Sequence, residues 1–422
     1  FVMLNRWTLL AATTLLCLNA NAKVWETRAQ WNMEYENKFS VFIKNLPLDV
    51  FSNRSSKYYG ISTDCADAVY ALRILFAYEN GLPVRFQGSD RLSNETNDFD
   101  NIPEENYARV RKFMARVNYG TGTESLHRDT YPVAINRSMI RPGAMFVHSA
   151  TVPGMRDYGN VSVTYRTGHV YYLQDVQNNG MIKYISSTVP IAVRPLGARM
   201  GIQFAPQENV RSGYRAWKWP HLSTEQQPGY SMMQFQMGGW RPYSKADLAN
   251  SWQEAFQARI RTRGISAKEQ LEATSFNLRS TLLERAAAVD RGWRFYQSRY
   301  RGQNCMSAGD YDDHSTPSRD VKIQTEIYNF MVAVRRYVQS IPSWEDEMTM
   351  RNREYQNFVV EVMPGVRIGF SKLHEVFMTQ RALEISEPEH SPEVRWGLRN
   401  QGRWICPQRA KQYVGGHLAG QD

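Results

Sequence analysis

A short polar turn that runs straight into an apolar-periodic segment, with a cysteine at the junction, sets the terms for the rest of this 422-residue chain. The turn is Tyr58-Tyr59-Gly60-Ile61-Ser62-Thr63-Asp64-Cys65, and the segment continues as Ala66-Asp67-Ala68-Val69-Tyr70-Ala71-Leu72-Arg73. Ala68, Val69, Leu72, Leu75 and Phe76 recur at helical spacing, and Ser62, Thr63 and Asp64 are all good N-cap residues. The pattern predicts a buried helix with Cys65 in its first turn. Unpaired backbone N–H groups and the helix dipole favour an anion there, which lowers a thiol's pKa. Nearby carboxylates act the other way, and Asp67 is expected to point outward and offset the dipole. The same cysteine also reads as a small core residue or as half of a disulfide.

The first residues read as a signal. Arg6 precedes an apolar run from Trp7 to Leu18, and Ala20-Asn21-Ala22 is a small-x-small cleavage site. Cleavage after Ala22 removes Cys17 with the signal, and no later segment is apolar enough to cross a membrane. Export to an oxidising compartment favours pairing two of the three remaining cysteines. Cys305 and Cys406 lie in settings unlike the capped turn of Cys65, so they are expected to pair and leave Cys65 free. The formal charge of +10 falls by one with Arg6. It reads first as a dispersed solvated surface, and second as an attraction for anionic partners such as cell-envelope polymers or lipid head groups. The lysines and arginines are scattered, with no basic block of the kind that binds nucleic acid.

Farther along, Ile140-Arg141-Pro142-Gly143 leads into Ala144-Met145-Phe146-Val147-His148, a turn into a strand. Gly168-His169-Val170-Tyr171-Tyr172-Leu173-Gln174-Asp175-Val176 is a second strand, opened by a histidine. Gln177-Asn178-Asn179-Gly180 is a hairpin-type turn, followed by a strand through Lys183, Ser186 and Ser187. A Tyr–turn–Asp-Cys–helix, then Pro-Gly before a strand, then Gly-His-Val before a hairpin, resembles the NlpC-type cell-wall endopeptidases of the papain-like superfamily. The resemblance covers Tyr58 to Thr188. Where that family usually has Ser-Gly after the cysteine, this chain has Ala66-Asp67. Cys-x-Asp followed by Gly81-Leu82-Pro83-Val84-Arg85 is similar instead to transglutaminase-like cysteine enzymes, which share the architecture.

The resemblance implies Cys65 as nucleophile and His169 as general base and acid. Tyr59 would shape the oxyanion site, and a third polar residue would orient the imidazole. Ser186, Ser187 and Lys183 fall near that last position, and Asp175 is an alternative. Such a thiol needs a base within hydrogen-bond reach, and the imidazolium later protonates the leaving amine. His148 reads as a surface or core residue. The loop Tyr119-Gly120-Thr121-Gly122-Thr123 alternates glycine with threonine but lacks a Gly-Lys-Ser/Thr ending, and it reads as irregular. The histidines show no metal-ligand spacing, so neither metal nor cofactor is expected.

Trp31, Tyr35, Phe39, Phe42 and Leu46 predict an amphipathic helix over Val24–Leu46, and Tyr107, Val110, Phe113, Met114 and Val117 another over Tyr107–Asn118. Beyond Pro195 the chain is rich in glycine, proline and aromatics, which reads as a domain junction. From Ser244 it turns helical, with stripes through Leu271–Tyr300, Ile323–Ile341 and Phe370–Leu383. Asp310–Asp320 is acidic but lacks the glycine and final glutamate of a calcium loop, and Thr316-Pro317 reads as a helix start.

The expected class is α+β: a papain-like catalytic unit over residues 57–200, interrupted by an insertion at 87–139. It follows a signal at 1–22 and a helix and loop at 23–56, and it precedes a junction at 201–243 and a helical domain at 244–422. The expected protein is a periplasmic or secreted cysteine hydrolase acting on peptidoglycan peptides through a thioester. Two other readings stand beside it: a transglutaminase-like enzyme or protease acting on proteins, and a non-catalytic cell-wall binding or assembly protein.

Overall fold

The computed structural model describes residues 23–406, except 89–90, 100, 104, 149–155, 159–160, 164–167, 202–204, 207–210, 241–245, 302–303, 379–384 and 401–405. The expected signal and Cys17 lie outside the described residues.

Mixed helix and sheet are arranged around six antiparallel strands. These are β1 (Thr130–Pro132), β2 (Met145–His148), β3 (His169–Val176), β4 (Ile182–Ser186), β5 (Gly197–Met200) and β6 (Gly213–Trp217). Their order across the sheet is β1-β6-β2-β3-β4-β5. β1 lies within the expected insertion and β6 within the expected junction, so both segments belong to the sheet.

Alternation along each strand gives the sheet two faces. Met145, Val147, Val170, Tyr172, Ile185 and Trp217 face one core, shared with helices α1 (Met33–Lys44) and α2 (Cys65–Glu79). Phe146, Leu173, Tyr184 and Tyr214 face another, built with Trp252, Phe256 and Ile260. α1 is shorter than its apolar stripe suggests. Asn32 caps it by accepting from the Tyr35 N–H, which leaves Trp31 just before the helix, buried. α2 is buried from Cys65 to Ala77, including Arg73, which pairs with Glu36 at 2.6 Å and stacks on Trp31. α3 (Ala108–Gly120) buries Val110, Phe113, Met114 and Val117 of the expected stripe, but Tyr107 lies just before the helix in a left-handed conformation.

The helical half comprises α4 (Ala246–Ile260), α5 (Ala267–Tyr300), α6 (Pro317–Gln339), α7 (Glu347–Asn357) and α8 (Phe370–Met378). A hairpin at residues 359–369, where the sequence suggests only helix, fills the gap between α7 and α8. Leu278, Leu282, Ile327, Val334, Phe370 and Phe377 share its core. Thr316 precedes α6, but its hydroxyl donates to Asp320 rather than capping the helix. No helix among the described residues is long and apolar enough to cross a membrane.

Polar groups lock the two halves together. The Asn277 side chain on α5 pairs with both the N–H and the carbonyl of Met200 on β5, at 2.7 and 2.9 Å. Arg199 of β5 reaches Glu326 on α6 at 3.0 Å and Thr281 on α5 at 3.2 Å. A disulfide joins Cys305 to Cys406, with Cα atoms 5.7 Å apart. Cys65 is a free, buried thiol.

Candidate functional site

α2 starts where the sequence predicts. Asp64 accepts from the Asp67 N–H at 3.0 Å, and Asp67 accepts from the Asp64 N–H at 3.1 Å. This reciprocal capping box turns Asp67 inward: it is buried, not directed to solvent as expected. Burial, with Asp64 alongside, pushes its carboxyl up to about 6.

Cys65 occupies the first turn and is only 7% exposed. Its Sγ lies 3.4 Å from Thr123 Oγ1. Burial pushes the thiol up. The Thr123 hydroxyl and the N–H groups of Ala66 and Val170 pull it down, and Asp64 adds to the rise. The net direction is upward, towards a protonated thiol at neutral pH.

His169 opens β3, directly opposite His148 of β2. Its Nε2 lies 3.3 Å from Ser186 Oγ on β4, and its ring stands against Tyr171 at 4.4 Å between centroids. Burial, then the charges of Lys322, His148 and Arg199, push the imidazole down to about 3. It is therefore neutral at physiological pH.

The structure thus brings His169 and Ser186 together, but no hydrogen bond joins Cys65 to His169. Alternation along β3 supplies the reason. Val170 and Tyr172 face α2, and Tyr172 Oη donates to the Val69 carbonyl at 2.9 Å. His169 and Tyr171 face the other way, into a cavity beneath α5 and α6. Gly168, just before the strand, comes up against Thr123: a Cβ there would stand 2.7 Å from Thr123 Cβ.

The other expected residues are dispersed. Asp175 follows a bulge in β3 and pairs with Lys44 at 3.2 Å. Six residues along the strand from His169, roughly 20 Å, it is not the orienting group. Lys183 sits opposite Asp175 in register. Ser187 lines the same cavity as His169 and is bonded to Thr63 through hydroxyl and carbonyl, each at 3.0 Å. Tyr59 is 40% exposed, and its carbonyl accepts from Arg111.

Sequence reasoning passed over Thr123, which it placed in an irregular loop, and over the cavity itself. That space measures about 430 Å³. His169, Ser186, Arg194 and Arg199 line one wall, and Arg291, Arg319 and Lys322 the opposing helices, with Glu284 the carboxylate among them. Arg194 is buried, yet its Nε and Nη2 have no hydrogen-bond partner. Burial, then the neighbouring arginines, push Arg194 down to about 10, and burial pushes Lys322 down to about 8. These basic residues come from 194–199, 291 and 319–322, so no linear pattern gathers them.

No protein-family model, curated protein or solved structure matches the chain.

Proposed function

We propose that this chain is an exported binding protein of the cell envelope, built on a papain-like arrangement whose cysteine–histidine dyad is not closed. One observation carries the reading: Cys65 is turned to Thr123 and the Val170 N–H, whereas His169 is turned to Ser186 and lines the cavity beneath α5 and α6. A working dyad needs a depressed thiol and a base within hydrogen-bond reach. Here burial raises the thiol and holds the imidazole neutral without a contact between them. The envelope assignment rests on the apolar start, the small-x-small site and the Cys305–Cys406 disulfide.

A second reading, a cysteine hydrolase of peptidoglycan peptides, is favoured by the Ser186 hydroxyl at His169 Nε2. That pair is the base-and-orienter unit such an enzyme needs, and the ring would have to swing to Cys65 to act. Thiol labelling across pH separates the two. In the binding protein, Cys65 reacts slowly, with a midpoint no lower than that of a free thiol, and His169→Ala changes neither. Fast labelling with a depressed midpoint that His169→Ala abolishes would overturn the binding reading and establish the hydrolase.

A further inference from the structure

The cavity between β3–β5 and helices α5 and α6 holds more positive charge than its own side chains balance. Five basic residues line it: Arg194, Arg199, Arg291, Arg319 and Lys322. Arg199 is answered by Glu326 at 3.0 Å, and Arg319 donates to the Val189 carbonyl at 3.3 Å. Glu284 is the acid in the lining. Arg194 is answered only in part: it is 6% exposed, Asp64 and Glu284 lie within electrostatic reach, and two of its nitrogens, Nε and Nη2, lack any acceptor. A buried donor without a partner is costly, and a buried charge more so. Lining a cavity, Arg194 can be completed from outside by an anionic ligand.

We propose that this cavity binds a small ligand carrying two or more anionic oxygen-rich groups, carboxylate or phosphate, with Arg194 as its anchor. A guanidinium fork pairs bidentately with either group. Arg291 and Lys322 stand on the facing helices to take the second anion, and Ser186 and His169 offer neutral hydrogen-bonding groups beside it. The volume of about 430 Å³ suits a small molecule or the end of a short peptide. Leu196, Leu283 and Ala287 complete the wall, so part of the ligand is apolar.

The inference deepens the binding reading and rests on it in treating this cavity, rather than Cys65, as the seat of function. The two fail separately, because the labelling experiment addresses Cys65 and His169 and the following one addresses the arginines. The full chain is titrated calorimetrically with pyrophosphate, with citrate, and with a short peptide bearing an acidic side chain and a free C-terminus. Each is also tested for the rise it gives in melting temperature. At least one binds with a Kd below about 1 mM. Pyrophosphate alone identifies a phosphorylated ligand, and citrate or the peptide a carboxylate ligand. Arg194→Met and, separately, Arg291→Met weaken binding by about tenfold or more, whereas Arg335→Met, on the exposed side of α6, leaves it unchanged. Without ligand, Arg194→Met melts no lower than the wild type, because a buried charge answered only in part has gone. The proposal is overturned if no probe binds at about 10 mM. It is equally overturned if binding survives both cavity variants intact, or if Arg194→Met merely lowers the melting temperature and leaves anion binding unaltered.

Discussion

Gly168 governs how closely the Thr123 loop approaches the edge of β3, and through Thr123 how deeply Cys65 is covered. A methyl group at Gly168 would stand 2.7 Å from Thr123 Cβ and 3.4 Å from the His148 carbonyl. Gly168→Ala should therefore destabilise the protein by about 1–3 kcal/mol and speed thiol labelling of Cys65, as Thr123 is pushed aside. Gly264→Ala, with nothing within 4 Å of the new methyl, is the control and should be neutral or slightly stabilising in urea denaturation. His169 makes a second prediction at this scale. Its imidazole is held neutral to about 3 in the fold, against an ordinary value of 6.5. Below pH 6.5 the unfolded chain therefore binds the extra proton. The contribution is fully present above that pH and is lost as the pH falls towards 3. At about 1.4 kcal/mol per unit, His169→Gln should gain roughly 2 kcal/mol on the wild type between pH 6.5 and 5. Asp67 and Asp129, raised to about 6 by burial, act in the opposite sense in both proteins, so the difference between them is the quantity to measure. A constant difference across that range would sink the account of His169 as a buried neutral group.

At the scale of elements, legibility in the sequence follows length and local signal. α2 is readable because Asp64 caps a run with clear helical periodicity, and capping and burial point to the same boundary. β3 and β4 are readable because β-branched and aromatic residues flank a Gln-Asn-Asn-Gly turn. β1 has three residues, and β6 five within an aromatic-rich stretch, so neither shows enough alternation to stand out. Their place in the sheet is decided by partners far along the chain, Arg215 against Pro132, Trp217 against Thr130 and Gly213 against Val147. The candidate site divides in the same way. His169 and Ser186 are neighbours through a short hairpin, and the sequence puts them together. Whether His169 faces Cys65 turns on the parity of one strand, since a single-residue offset reverses every side chain. Gly168 comes up against Thr123 while the adjacent His169 turns to Ser186, and no local pattern states which of the two residues takes which side. The basic cavity needs β5, α5 and α6 assembled before its charges meet at all.

Across the whole molecule, the helical half acts as the second wall of the cavity, so its stability bears on binding. The Asn277–Met200 pair and the buried Arg199–Glu326 bridge fix α5 and α6 against β5. Farther from the sheet, the half is closed by the disulfide between residues 101 apart in sequence. Cys406 lies against Glu389, which accepts from the Met306 N–H at 3.0 Å, and Tyr311 donates to Glu387 at 3.1 Å. The bond thus closes beside hydrogen bonds that tie Met306 and Tyr311 to Glu389 and Glu387. A cross-link over so long a loop mainly restricts the unfolded chain and contributes about 2–4 kcal/mol. Replacing both cysteines with serine should lower the urea midpoint accordingly. Hydrogen exchange should rise first around Met306, Tyr311 and residues 387–396, while the amides of α2 keep their protection. Anion binding should weaken only under conditions where α5 and α6 also lose protection, because the lining arginines on those helices are placed by the half the bond closes. An unchanged midpoint would mean that the clustered contacts around Glu387 and Glu389 hold this end without the cross-link.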